Sequence, residues 1–155
     1  MRPKSDKFIM ENYEVFKKVA DMFDFDYKIL LTHAAHETNW GTKVKGNNYF
    51  GIKAGKYWKG DTIDFVTHEY INGEKIRIVD KFRAYKSIED SIIDYCKLIK
   101  NSKRYKEAYE ARKNPDKYFY YLYKAGYATN PNYVTYLKLT YEIVVDRLKK
   151  LGLEV

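Results

Sequence analysis

Apolar residues recur along the chain at a helical period, then at a period of two, then at a helical period again. Phe8, Ile9, Tyr13, Phe16, Ala20 and Phe23 are spaced for one face of a first helix. A second helix is predicted over residues 27–40, with Asp26 as N-cap and Gly41 as the residue that ends it. Residues 42–60 hold four glycines and two asparagines with no helical period, an ordered loop expected to fold around Tyr49, Phe50, Tyr57 and Trp58. Residues 62–70 alternate, placing Ile63, Phe65, Thr67 and Glu69 on one strand face. Asn72-Gly73 supplies the positive-φ pair of a tight turn, and residues 75–79 return as the partner strand, with Glu69 opposite Ile76. Ser87-Ile88-Glu89-Asp90 reads as a capping box opening a helix to about Ile99. Asn114-Pro115 opens a Tyr-rich helix that stops at Gly126. Residues 126–131 link tightly to a last helix with Tyr133, Leu137, Tyr141, Val144 and Leu148 on its inner face. The expected fold is one α+β domain, mostly helical, spanning residues 1–155.

Within this frame one carboxylate stands out. Leu30, Ala34 and Glu37 share a helix face, so Glu37 ends a mostly apolar stripe. Desolvation disfavours a charged carboxylate, which is how a general acid keeps its proton near neutral pH. Glycoside hydrolysis needs such an acid together with negative charge or a nucleophile on the other face of the sugar. Glu69 on the hairpin is the leading second carboxylate. Asp61 and Asp64 compete, although Asp64 points to the opposite strand face and Asp61 precedes the strand.

Composition narrows the partners. The 155 residues carry 29 Lys and Arg against 21 Asp and Glu, a net charge of +8, which favours polyanions such as nucleic acid, anionic lipid or cell-wall polymers. The basic residues are dispersed, and no nucleic-acid motif or basic stripe is present. The 17 tyrosines suit both a core and a sugar-stacking groove. Cys96 is alone and on an apolar helix side, a buried inert thiol that forms no intrachain disulfide. His36-Glu37 begins like the zinc motif His-Glu-x-x-His, but Trp40 stands at the last position. His33 and Glu37 alone fall short of the three ligands of a catalytic zinc, so neither metal nor cofactor is expected. Residues 1–16 are charged and lack the apolar segment of a signal peptide, and no run reaches transmembrane length, so no stable membrane insertion is expected.

Six segments, in order, then carry a resemblance. They are Glu37 with Trp40-Gly41; Asn48-Tyr49-Phe50-Gly51-Ile52-Lys53; Thr67-His68-Glu69-Tyr70 with Asn72-Gly73; Phe82-Arg83-Ala84-Tyr85 with Ser87; Arg104-Tyr105; and Ala125-Gly126-Tyr127-Ala128-Thr129-Asn130-Pro131. Together they resemble glycoside hydrolase family 73 over most of the chain, from about Leu30 to Tyr136. Departures are modest: Thr38-Asn39 replaces a common small pair, Tyr49 replaces Leu, and Asn130 replaces Asp.

The resemblance implies a lysozyme-like fold with a small β-hairpin lobe flanking a cleft, and an endo-β-N-acetylglucosaminidase that cuts the glycan strands of peptidoglycan. It implies Glu37 as general acid, Glu69 as second carboxylate, and Tyr127 as a cleft residue positioning substrate or water. Phe50 and Gly51 would line the cleft floor, and Trp40, Asn48 and Thr67 complete the expected substrate-binding set. Trp40 suits either core packing or a wall beside the acid, and Tyr127 suits either a linker anchor or a working group. Carboxyls ~6.5–9.5 Å apart would favour inversion, about 5 Å a covalent intermediate, and a substrate-assisted route stays open. Muramidase specificity on the same fold, or a non-catalytic wall-binding or virion module, are the competing functions. A monomer is the expected form. Without a signal peptide, the chain is expected to be made in the cytoplasm and to reach the wall as a phage or mobile-element lysin released by a partner, in a virion, or as a piece of a longer exported protein.

Overall fold

The computed structural model describes residues 3–155; Met1 and Arg2, which open the charged N-terminal stretch, lie outside them. The elements run α1 (Pro3–Phe23), α2 (Tyr27–Thr38), β1 (Thr62–Ile71), β2 (Glu74–Arg83), α3 (Ile88–Asn101), a 3₁₀ turn (Lys103–Tyr105), α4 (Lys106–Glu110), α5 (Pro115–Lys124) and α6 (Tyr133–Lys150). This is the mostly helical α+β arrangement expected, with a two-stranded antiparallel hairpin as its β part.

The core forms around α2. Tyr27, Ile29, Leu30, Leu31, Thr32, His33, Ala34 and Ala35 are all buried, more than a single stripe, because α1 and α6 both pack on this helix. A helix apolar on every side is stable only when wrapped. The amphipathic α1 contributes Phe8, Ile9, Phe16, Val19 and Ala20, and α3 contributes Ile92, Tyr95, Cys96 and Ile99. Cys96 is buried, and desolvation pushes its thiol well above the ordinary range. Arg147 of α6 donates two hydrogen bonds to the Asp6 carboxylate of α1, at 2.8 and 3.0 Å, and so joins the first helix to the last. A bidentate geometry of this kind meets the strict pairing that buried charge requires.

Helix starts follow the capping residues. Asp26, Ser87 and Asn114 each accept from a backbone N–H in the first turn of the following helix. The end of α2 differs from expectation. It stops at Thr38, two residues short of Trp40, because Asn39, Trp40 and Gly41 all adopt positive φ (48°, 58° and 79°). Asn tolerates the left-handed region well enough to begin such a run. Gly41 is required within it, since a Cβ there would lie 2.9 Å from the Phe8 ring.

The hairpin has the expected register, with Glu69 opposite Ile76 and Ile71 opposite Glu74. Its return strand is longer than the alternation indicated, continuing to Arg83, because β1 pairs with it back to Thr62 and the preceding loop pairs with its other edge. Ala54 N–H donates to Lys81 O at 2.9 Å and Arg83 N–H to Ile52 O at 3.0 Å. The loop itself, residues 42–60, folds around Phe50, which is fully buried, but not around Tyr57, which is 80% exposed. Trp58 instead covers the Arg83 guanidinium at 4.6 Å.

Candidate active site

Asn48 organises the loop that meets the end of α2. Its amide Nδ2 donates to Ile52 O and Arg83 O, both at 2.9 Å, while Oδ1 accepts from the N–H groups of Phe50 and Ile52. The side chain is thereby committed to shaping the turn, although it borders the cleft. That turn presents Gly51, with φ +67°, to Glu37; a Cβ at Gly51 would lie 3.1 Å from Glu37 Oε1. Phe50 lies beneath the surface, stacked on Tyr95 at 4.0 Å and edge-on to His33 at 5.6 Å. It therefore supports the cleft floor, and Gly51 forms the floor's exposed part.

Glu37 sits in the last turn of α2 with its side chain 21% exposed. Tyr133 of α6 donates its hydroxyl to Glu37 Oε2 at 2.8 Å, and His33 Nε2 lies 3.3 Å from the same oxygen. Desolvation pushes this carboxyl up, as the sequence suggested. The hydrogen bond and charge of His33, with His36 and the Tyr133 hydroxyl, outweigh it and hold the group below its ordinary value in the free site. The expected raised acid is thus reversed in sign by a partner one helical turn back.

Glu69 approaches from the hairpin. Lys53 Nζ lies 2.9 Å from Oε1 and also 3.4 Å from Asp80. Thr129 donates its hydroxyl to Glu69 Oε2 at 3.0 Å and accepts the Tyr70 N–H at 2.7 Å. Burial alone would lower Lys53, but its pairing with Glu69 and Asp80 raises it above the ordinary lysine value, keeping it charged. Asp64 is turned away, paired with exposed Lys81 at 3.1 Å.

The two carboxylates face one cleft of about 1070 Å³, lined also by His36, Asn48, Gly51, Thr67, Tyr127 and Tyr133. Tyr127 donates its hydroxyl to Phe50 O at 2.6 Å and sets its ring edge-on to His33 at 4.7 Å. It both anchors the link and borders the cleft. Trp40 is not on this wall. It packs edge-on against Phe8 of α1 at 6.2 Å, because the left-handed run after Thr38 carries it away from the cleft. Core packing, the first of the two readings open to it, describes its place.

The pattern of the sequence did not single out Tyr133, Lys53 or Thr129. Lys53 and Thr129 lie inside segments that carry the family resemblance. Tyr133 marked only the inner face of α6, and no local signal ties a residue 96 positions away to Glu37.

Two carboxylates facing each other across a cleft, one on a helix end and one on a hairpin, define a lysozyme-like glycoside hydrolase domain. A structure of a peptidoglycan hydrolase mutant from Sphingomonas sp. A1 superposes with TM-score 0.86 at 30% identity, over 94% of this chain and 99% of that one. The chain belongs to the glucosaminidase family, glycoside hydrolase family 73. The family's model, described as mannosyl-glycoprotein endo-beta-N-acetylglucosaminidase, matches residues 13–144. The chain is 34% identical over 140 residues to the peptidoglycan hydrolase FlgJ of Pseudomonas aeruginosa, covering 86% of this chain and 35% of that protein. It is 35% identical over 113 residues to the exo-glucosaminidase LytG of Bacillus subtilis, covering 68% and 39%. The chain therefore spans a little over a third of the length of these two relatives.

Proposed function

We propose that this chain hydrolyses the glycan strands of peptidoglycan as an endo-β-N-acetylglucosaminidase, with Glu37 as general acid and Glu69 as second carboxylate. The observation that carries the reading is the placement of both groups on one cleft from separate elements. Glu37 delivers a proton to the glycosidic oxygen as the bond to the anomeric carbon breaks. Glu69, held by Lys53 and Thr129, supplies negative charge on the hairpin side, where positive charge develops on the sugar. Lys43, Lys45, Lys75 and Arg104 on the cleft border suit an anionic wall polymer. Tyr127 has spent its only proton on Phe50 O, so it serves as a substrate-side wall and as an acceptor for water.

The relatives' names support the wall substrate, and the family match supports the glucosaminidase bond. Release of dye from labelled sacculi tests the assignment of roles. Glu37→Gln should lose on the order of 10²–10⁴-fold in rate. Glu69→Gln should also lose activity, with folding unchanged in both. Full activity of Glu37→Gln would remove the acid from the account. Among the described residues no helix is long and apolar enough to cross a membrane. We propose that the chain meets the wall as a lysin released by a partner, as a virion component, or as the catalytic part of a longer exported protein. Immunodetection of the chain in culture supernatant, phage particles or wall fractions separates these routes.

A further inference from the structure

The acid assigned to Glu37 needs a proton, yet its surroundings in the free site favour the ionised form. The same surroundings contain a continuous chain of hydrogen bonds. Tyr133 Oη lies 2.8 Å from Glu37 Oε2 and 2.7 Å from His33 Nε2. His33 Nδ1 lies 2.7 Å from Tyr95 Oη, which in turn lies 2.5 Å from Tyr118 Oη. His33 is 0% exposed, so water does not compete for either ring nitrogen.

A tyrosine hydroxyl carries one proton, so the Tyr133 hydroxyl can point only one way at a time. When Glu37 is ionised, Tyr133 donates to it, and His33 Nε2–H is directed at the Tyr133 oxygen, 2.7 Å away, with Glu37 Oε2 farther off at 3.3 Å. When Glu37 carries the proton, Tyr133 can turn and donate to His33 Nε2. In the first state His33 is protonated at both nitrogens, with Nδ1–H donating to Tyr95. One state becomes the other when the Nε2–H bond breaks, that proton joins the Tyr133 oxygen, and Tyr133's own proton joins Glu37 Oε2, leaving a neutral Nδ1–H imidazole beside a neutral carboxyl. No atom is gained or lost, and both arrangements stay hydrogen-bonded. At the inner end nothing has to turn, since Nδ1–H donates to Tyr95 in both states and the Tyr95 hydroxyl is left to donate to Tyr118.

Resting on the assignment of Glu37 as the acid, we propose that His33 is a positioning residue that stores the acid proton and exchanges it with Glu37 through the Tyr133 hydroxyl. His33 and Glu37 then share one proton, and the acid form lasts until the pair has lost it. The ionisable groups around the pair come from several elements. His36 comes from α2, Tyr95 from α3, Tyr118 from α5, Tyr133 from α6, and Tyr127 from the link before α6. The loop of residues 42–60 presents Gly51 and Phe50, which are uncharged, and Glu69 with Lys53 stands across the cleft. His36 is the other ionisable imidazole in reach. Burial lowers it, Glu37 raises it, His33 lowers it again, and the net shift is downward.

The test is the pH dependence of kcat/KM for wild type, His33→Gln and Tyr133→Phe on a soluble glycan fragment. His33→Gln should shift the alkaline limb down by about 1 to 2 pH units, towards the range of a carboxyl acting alone. Tyr133→Phe, which removes one oxygen, should shift it in the same direction and lower kcat more than it changes KM. Folded variants that retain the wild-type limb overturn the proposal, since a merely structural histidine lowers rate without moving it. If His33→Gln does not fold, carbon-13 NMR of the Glu37 carboxyl in the wild-type chain gives the answer. An inflection shared with the His33 imidazole supports the stored proton; independent titrations overturn it. Activity retained by Glu37→Gln would instead mean that the acid assignment itself has failed.

Discussion

At the scale of single residues, the site depends on what is absent as much as on what is present. Gly51 has to be glycine twice over, for its positive φ and for the Glu37 oxygen 3.1 Å from where a Cβ would stand. Gly51→Ala should therefore cost about 1–2 kcal/mol of stability through the left-handed backbone. It should also lower kcat on the order of 10-fold or more by displacing the carboxyl. Paired thermal melts and rate measurements check both, and a stable variant with full activity would contradict the close approach. The sequence made Gly51 visible as part of a segment but not as the neighbour of Glu37, because that contact joins a loop to a helix. The Glu37 environment shows the same limit. Its place on an apolar stripe correctly indicates desolvation, while the sign of its shift depends on Tyr133 and on the His33 rotamer. Neither is written in the spacing of α2.

At the scale of elements, the hairpin is tied to the helical body by one hydroxyl, in addition to Lys53 and the loop pairing along β2. Thr129 accepts from the Tyr70 N–H and donates to Glu69, tying the tip of β1 to the link before α6. Thr129→Val keeps the shape and removes both bonds. Loss of a bond worth about 1 kcal/mol should speed exchange of the Tyr70 amide about 5-fold. Hydrogen exchange read by NMR at Tyr70 tests this, and unchanged protection would mean that the strand pairing alone holds the tip. The hairpin was among the most legible elements, because Asn72-Gly73 dictates the turn and the turn dictates the register. Its far end was not, since the partner residues of Thr62–Asp64 on β2 lie beyond the alternating stretch and also pair with residues 52 and 54 of the loop. Helix starts were legible from Asp26, Ser87 and Asn114. The end of α2 was less so, because Gly41 was the visible left-handed residue while Asn39 and Trp40 had already left the helix.

At the scale of the whole molecule, tyrosine hydroxyls are threaded through the core. Burial pushes Tyr95, Tyr118, Tyr127 and Tyr133 well above the ordinary tyrosine value, and Tyr27 to about 12. Above pH of about 10 the unfolded chain sheds these protons while the folded chain keeps them. The unfolded state then binds fewer protons, so stability is fully present below about pH 10 and falls as pH rises further. A phenolate absorbance titration followed together with circular dichroism should show the buried group ionising only as the fold is lost. Smooth ionisation of all tyrosines with the fold intact would contradict the buried network. The family, the helical scaffold and the cleft's two carboxylates were legible at this scale because the six segments occur in order along the chain. The buried chain from Tyr118 to Glu37 was not legible, because it takes one residue from each of four helices and a second from α2.

The central claim is that Glu37 drives cleavage of the N-acetylglucosaminyl bond. Its most direct test is digestion of purified peptidoglycan, borohydride reduction and mass spectrometry of the fragments, with Glu37→Gln alongside. New N-acetylglucosaminitol ends that disappear in the variant are the expected result. Reduced muramic ends would reverse the bond choice. No new ends on several wall types would contradict the enzyme reading and favour a wall-binding module.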